Sequence, residues 1–207
     1  MKSDVVKVTN SGEGINEALC AADAAAVYRS LEKKDALYLR LLAEEMMGMI
    51  RQITGETEAE FWVSSEDKSF ELHLVAYPVM TQAMRKELLK ASSSGKNAAA
   101  KGFMGKIKDI FNRALASDDL QNLAYYYSQG IIVTENAFMT DSYTSTTGTV
   151  SWSMKKYKTA VEKESANSAE AKEEWDELEK SIVASIADEV EIAISGDKVE
   201  MTVYKKF

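Results

Sequence analysis

EVEIAISGDKVEMTVY, Glu189–Tyr204, is the stretch on which the fold turns. It predicts two strands, Glu189–Ile194 and Lys198–Tyr204, joined through Ser195-Gly196-Asp197, a link of the kind that closes β-hairpins. A tight hairpin is antiparallel, so the chain carries an antiparallel sheet. A second pair lies far upstream: Ala59–Ser64 (AEFWVS) and Ser69–Tyr77 (SFELHLVAY), separated by the polar link Ser65-Glu66-Asp67-Lys68. Within Ser69–Tyr77, Phe70, Leu72, Leu74 and Ala76 alternate with Glu71, His73 and Val75, which predicts a strand covered mainly on one face.

Around these hairpins the apolar period becomes helical. Asp4–Thr9 is expected as a short strand, followed by a turn at Gly12-Glu13-Gly14 and an alanine-rich helix over Ile15–Ser30. A second helix is expected over Asp35–Ile53, where Leu39, Leu42, Met46, Met49 and Ile53 draw one buried stripe, with Gly55 as its C-cap residue. Met80–Ala91 is expected as a helix, Ser92–Asn97 as a loop, and Gly102–Ala116 as an amphipathic helix. From Ser117 to Ser168 the pattern weakens and hydroxyls dominate, so this stretch is read as a partly ordered insertion with a helix near Trp152–Lys163. Ala169–Ala187 is helical and acidic at its start. Residues 1–207 are thus expected to form one α+β domain. Its architecture is a two-layer sandwich, a mostly antiparallel sheet covered by helices on one face, with an insertion at about 117–168.

A chain of 207 residues buries roughly 70% of its unfolded surface and needs no covalent staples. The net charge of −8 argues against nucleic acid and anionic membrane as partners. Cys20 is the one cysteine, which excludes an intrachain disulfide and fits a reducing cytoplasm. No apolar run predicts a signal peptide or a membrane span. His73 is the one histidine, so a site needing two histidines, or a Cys/His metal cluster, is excluded. Its expected place is the polar face of its strand, with no acid or nucleophile beside it. Cys20 is expected to pack.

Three motifs carry chemistry or imitate it. Gly12-Glu13-Gly14 follows a strand and precedes a helix, but a dinucleotide fingerprint wants a small residue where Glu17 stands, so the glycines are read as a turn. SSSGKN resembles a P-loop but has Lys90 in place of its first glycine and Asn97 after Lys96. The surrounding chemistry stands on its own. Lys90, Lys96, Lys101, Lys106, Lys108 and Arg113 face one acid, Asp109, in an otherwise acidic protein. Gly95, Gly102 and Gly105 let backbone amides approach a ligand, which makes this a candidate anion site; the plain alternative is a solvated helix behind a flexible loop. The third motif is LLAEEMMGMI, Leu41–Ile50. Helical spacing puts Leu37, Leu41, Glu44 and Gly48 on one strip, and Glu45 on a strip expected to be more exposed. A mid-helix glycine costs about 1 kcal/mol relative to alanine, so Gly48 is read as answering to close packing or ligand approach. The alternative is a solvated pair of glutamates.

With these residues in place, the chain resembles the GHKL (Bergerat-fold) ATP-binding domains, in particular the anti-sigma-factor serine kinases and histidine-kinase-like ATPases. SIVASIADEVEIAISGDKVEMTVYKKF (Ser181–Phe207) is similar to that branch's last helix and strands, and LRLLAEEMMGMI (Leu39–Ile50) to the helix bearing its first box. The chain is also similar to a group of clostridial-type proteins labelled ATP-binding, on SSSGKN, AAKGFMGKI and WDELEKSI in the same order. The resemblance implies that Glu44 matches the glutamate that positions or activates water or hydroxyl. Gly48 stands where the family has its Mg²⁺-ligating asparagine. Ala76-Tyr77-Pro78-Val79-Met80 stands where the family has Asp-x-Gly-x-Gly, whose aspartate receives the adenine amino group. The lid would fall near Ser92–Gly105. The implied nucleotide pocket thus comprises Glu44, Gly48, Ala76, Pro78, Gly95, Lys96, Lys101, Gly102 and Gly105, with Lys96 and Lys101 meeting phosphates.

Without the asparagine, Mg²⁺ loses its one regular protein ligand, and without the aspartate no carboxylate accepts from adenine. The expectation is a cytoplasmic, degenerate domain that acts as a regulatory or binding module for a protein partner. ATP or ADP would bind weakly if at all, no resident metal is expected, phosphoryl transfer is disfavoured, and a homodimer is compatible. Two alternatives stay open. One is an active ATP-dependent serine kinase or ATPase of the anti-sigma type, its metal held for example by Glu44 and Asp109. The other is a nucleotide-free interaction protein whose surface is Tyr125-Tyr126-Tyr127 and Trp152.

Overall fold

Alternation of apolar and polar side chains decides the centre of the molecule. In the computed structural model, which describes residues 1–9, 11–54, 58–77, 131–134, 149–165, 169–195 and 198–207, the two hairpins read from the sequence form and lie side by side. Strands β1 (Val6–Thr9), β2 (Glu58–Glu66) and β3 (Ser69–Ala76) are followed in the chain by β4 (Ile131–Thr134), β5 (Thr149–Ser153), β6 (Glu189–Ser195) and β7 (Lys198–Lys206). They pair antiparallel in the order β1-β2-β3-β7-β6-β5-β4. β7 therefore sits between β3 and β6 and joins the two hairpins into one sheet. Register puts Phe61, Leu74, Met201, Ile192 and Trp152 in one row across five strands, and all five are essentially fully buried. Complete burial of each such side chain contributes about 1.5–3 kcal/mol.

Helices α1 (Ile15–Tyr28), α2 (Lys33–Thr54), α3 (Met154–Ser165), α4 (Ala169–Lys180) and α5 (Ile182–Ile186) complete the described elements. They contribute to one core cluster with that row of the sheet. The expected stripe on α2 is observed, with Leu39, Leu42, Met46 and Met49 buried and Ala43 and Met47 widening it; the side chain of Ile53 lies outside the described ones. α1 buries Ala18, Ala22, Ala25 and Ala26, whose small side chains let it lie close against its neighbours. Its last turn is tied to the sheet by Arg29, whose Nε donates to Ser65 Oγ at 3.0 Å. This satisfies a hydroxyl that is otherwise buried and that would be costly to leave unpaired. Cys20 departs from expectation: it is exposed on α1. No helix among the described residues is long and apolar enough to cross a membrane.

The largest correction concerns the stretch read as an insertion. Its described residues, 131–134 and 149–165, form β4, β5 and α3, with α3 where the sequence placed a helix. β5 pairs directly with β6, and Trp152, Met154, Tyr157 and Val161 belong to the core. Trp152 is therefore no part of an exposed contact surface. At the β5–α3 junction the Glu189 carboxylate accepts from the Lys155 amide and from Ser153 Oγ, both at 3.1 Å. An acceptor at a helix N-terminus satisfies a free amide and meets the positive end of the dipole. Tyr125-Tyr126-Tyr127, Gly55 and the expected helices over 80–91 and 102–116 lie outside the described residues.

Candidate functional site

α2 determines what Glu44 can reach. Helical geometry turns Leu37, Leu41, Glu44 and Gly48 outward: Leu37, Glu44 and Gly48 are exposed and Leu41 is half-buried. Glu45, expected on the more exposed strip, flanks the buried stripe and is half-buried instead. The physical reason is phase. Glu45 lies on the strip of the buried Leu42 and Met49, three residues before it and four after, whereas Glu44 lies on that of Leu41 and Gly48. A Cβ added at Gly48 would meet nothing within 4 Å, so among the described residues no tight contact explains that glycine. Ala76 ends β3 fully buried in the core, and Tyr77 beyond it is exposed. Pro78, Gly95, Lys96, Lys101, Gly102 and Gly105 lie outside the described residues, as does Asp109. The structure thus describes Glu44, Gly48 and Ala76 of the residues the resemblance selects. Among the described residues, no group of three or more His, Cys, Asp or Glu side chains is placed to hold a metal ion.

The other face of the sheet carries a site that the sequence did not reveal. Register places Trp62, His73, Thr202, Glu191 and Ser153 in one cross-strand row. The His73 ring stacks on Trp62, with centroids 4.9 Å apart and planes 11° from parallel. Its Nε2 lies 3.2 Å from Glu71 Oε2, and its Nδ1 lies 3.4 Å from Thr202 Oγ1. His73 therefore has an acid partner, contrary to expectation. Residues two apart share a strand face, so the Glu71-Leu72-His73 spacing held that signal.

Burial pushes the His73 pKa below its ordinary value of 6.5, against the opposing pull of Glu71. Above that value neither the folded nor the unfolded chain is protonated there, and no stability is lost. As pH falls from 6.5 towards the lowered folded value, the unfolded chain takes up the proton first, so stability declines through that window. Denaturant titrations over this range are expected to give a steeper fall for the wild type than for His73→Gln.

Beside His73 the sheet surface dips into a cavity of about 350 Å³. Small side chains of Ser151, Ala193 and Thr202 floor it, and Glu191, Glu200 and Tyr204 wall it. Register explains the hollow: Ala193 faces Ser151 on one side and Glu200 on the other, so small residues sit where the sheet surface would otherwise be filled. Tyr204 donates its hydroxyl to Glu191 at 3.0 Å, and burial followed by that carboxylate pushes its pKa up to about 12. Lys198 Nζ lies 2.8 Å from Glu200 Oε2, and the hydrogen bond raises the lysine pKa. A second cavity, of about 380 Å³, opens between α3, α4 and α5 beside Lys158 and Trp175. There Lys158 Nζ donates to the Ala184 carbonyl at 2.5 Å, and burial lowers its pKa. Set against known proteins, the chain matches no family model, no curated protein and no solved structure.

Proposed function

We propose that the chain is a degenerate GHKL-like domain, a two-layer α/β sandwich that serves as a regulatory or binding module for a protein partner and does not transfer phosphoryl groups. The observation that carries this reading is the outward presentation of Glu44 on α2, within a β-α-α-β-β order that closes on a C-terminal antiparallel hairpin. A carboxylate that acts on nucleotide must face away from the core, and Glu44 does. The residues that stand at the family's other two positions restrict the chemistry. Gly48 offers no side-chain oxygen to Mg²⁺, and Ala76 offers no side-chain acceptor to an adenine amino group. ATP or ADP, where bound, would rest on phosphate contacts from Lys96 and Lys101.

Two measurements on the full chain test this. Calorimetric titration with ATP and ADP, with and without Mg²⁺, is expected to show weak binding or none, with no gain from the metal. Phosphate release from ATP is expected to stay at background in both wild type and Glu44→Ala. Mg²⁺-dependent turnover that is lost in Glu44→Ala would overturn the reading in favour of an active kinase or ATPase.

A further inference from the structure

We propose that the trough on the sheet face opposite α2, between Glu191 and Glu200, is a docking site for an arginine side chain carried by a basic segment of a partner protein. The inference is independent of any nucleotide site, because it concerns the other face of the sheet.

Shape comes first. Ligand-holding cavities start at roughly 300 Å³, and this one, at about 350 Å³, is sized for one long side chain rather than a cofactor. Its floor of Ser151, Ala193 and Thr202 presents no charge, so selectivity falls to the walls.

Charge comes second. Glu191 and Glu200 line the trough, with Glu71 against His73 and Glu189 in register with Tyr204; against these four carboxylates stand two nearby cations, Lys198 on Glu200 and Lys2 over Trp62. His73 is neutral at physiological pH, and Tyr204 keeps its proton. The site is therefore complementary to a cation and repels phosphate or carboxylate. Lys198 already demonstrates the preference from within the chain, since its ammonium rests on Glu200. Glu191 accepts from Tyr204 and Glu200 from Lys198, yet a carboxylate offers about four acceptor positions, so both retain capacity for an incoming donor.

Geometry selects guanidinium over ammonium. Glu191 and Glu200 stand on neighbouring strands, displaced along them, with Ala193 and Thr202 between. A planar fork with five donors spans two separated carboxylates, whereas an ammonium is a point charge that satisfies one at a time. The Tyr204 ring adds an aromatic wall of the kind on which guanidinium stacks.

The test uses the full chain and a fluorescently labelled peptide of alternating arginine and glycine, read by anisotropy. Matched peptides carry lysine or the uncharged isostere citrulline in place of arginine. The arginine peptide is expected to bind more tightly than the lysine peptide, and the citrulline peptide not at all. Glu191→Gln/Glu200→Gln, which keeps shape and removes both charges, is expected to weaken binding by about tenfold or more. Glu162→Gln/Glu173→Gln, on exposed positions of α3 and α4, makes the same change in net charge and is expected to shift affinity less than about twofold. Ala193→Phe, which fills the hollow without touching charge, is expected to block binding. Equal weakening by both glutamine pairs would reduce the effect to whole-protein electrostatics and overturn the site. So would equal binding of the lysine peptide, or no binding of arginine peptide at millimolar concentration. Should Ala193→Phe fail to fold, the two glutamine pairs decide alone.

Discussion

Trp152→Ala is expected to destabilise the protein by about 3–5 kcal/mol, the range for emptying a large aromatic site in a core. Trp152 is 1% exposed, stands in register beside Ile192, and packs against Tyr157 with ring centroids 5.9 Å apart. Its removal opens a void that the surrounding strands cannot close without shifting β5. Domains of ordinary stability hold only about 5–15 kcal/mol in all, so this one change approaches the threshold of unfolding at room temperature. Urea denaturation followed by far-ultraviolet circular dichroism gives the number. An exposed contact residue would behave differently, with a shift inside about 0.5 kcal/mol. The same experiment therefore separates a core residue from an interaction surface. Deletion of 117–168 is expected to fail for the same reason, since it removes β4, β5 and α3 with their share of the core.

Gly14→Ala is the second large effect, expected at about 3 kcal/mol or more. Gly14 precedes α1 with φ +75°, and a Cβ built there would overlap the carbonyl oxygen of Lys7 in β1. Two costs add: the left-handed backbone, and the forced separation of β1 from the start of α1. Gly12→Ala isolates the first cost. Gly12 has φ +100° but nothing within 4 Å of the added carbon, so its substitution is expected to cost about 1–2 kcal/mol. For a chain of this size each kcal/mol lowers the melting temperature by roughly 2–4 °C, and the two variants should be clearly resolved by calorimetry. Equal losses would show that backbone strain alone matters and that the approach to Lys7 does not. The pair of glycines that imitates a nucleotide fingerprint in the sequence is thus accounted for by a turn.

The elements with a strong internal period are legible from the residues alone. β2, β3, β6, β7 and the buried stripe of α2 arise from alternation or from three-and-four spacing, and each lies within a few residues of its expected bounds. β4 and β5 are not legible in this way. β4, Ile131–Thr134, is a run of only four β-branched residues set in a hydroxyl-rich stretch; β5 is itself short and hydroxyl-rich, and the burial of Trp152 comes with pairing to β6 far along the chain, which no local window contains. The exposures of Glu44 and Glu45 invert the sequence expectation because adjacent helical residues differ by about 100°, which leaves Glu45 between the buried Leu42 and Met49 and Glu44 between the half-buried Leu41 and the exposed Gly48. The trough depends on β3 pairing with β7 and β6 with β5. Small residues such as Ala193 and Ser151 carry no local mark that a hollow will form where they meet.

The central place of β7 has a consequence for how the chain is made. β3 finds its second partner only when Lys198–Lys206 has been synthesised, on the order of ten seconds after β3 itself at the usual pace of translation. Until then Ser69–Ala76 presents an unpaired, largely apolar edge, the kind of template that neighbouring nascent chains can join. The sheet cannot close from its N-terminal end inwards, because β7, the last of the described strands in chain order, is the one through which the C-terminal hairpin joins β3. A ribosome-bound fragment stopped short of β7 should accordingly be protease-sensitive in β2 and β3, and should become resistant once β7 has emerged.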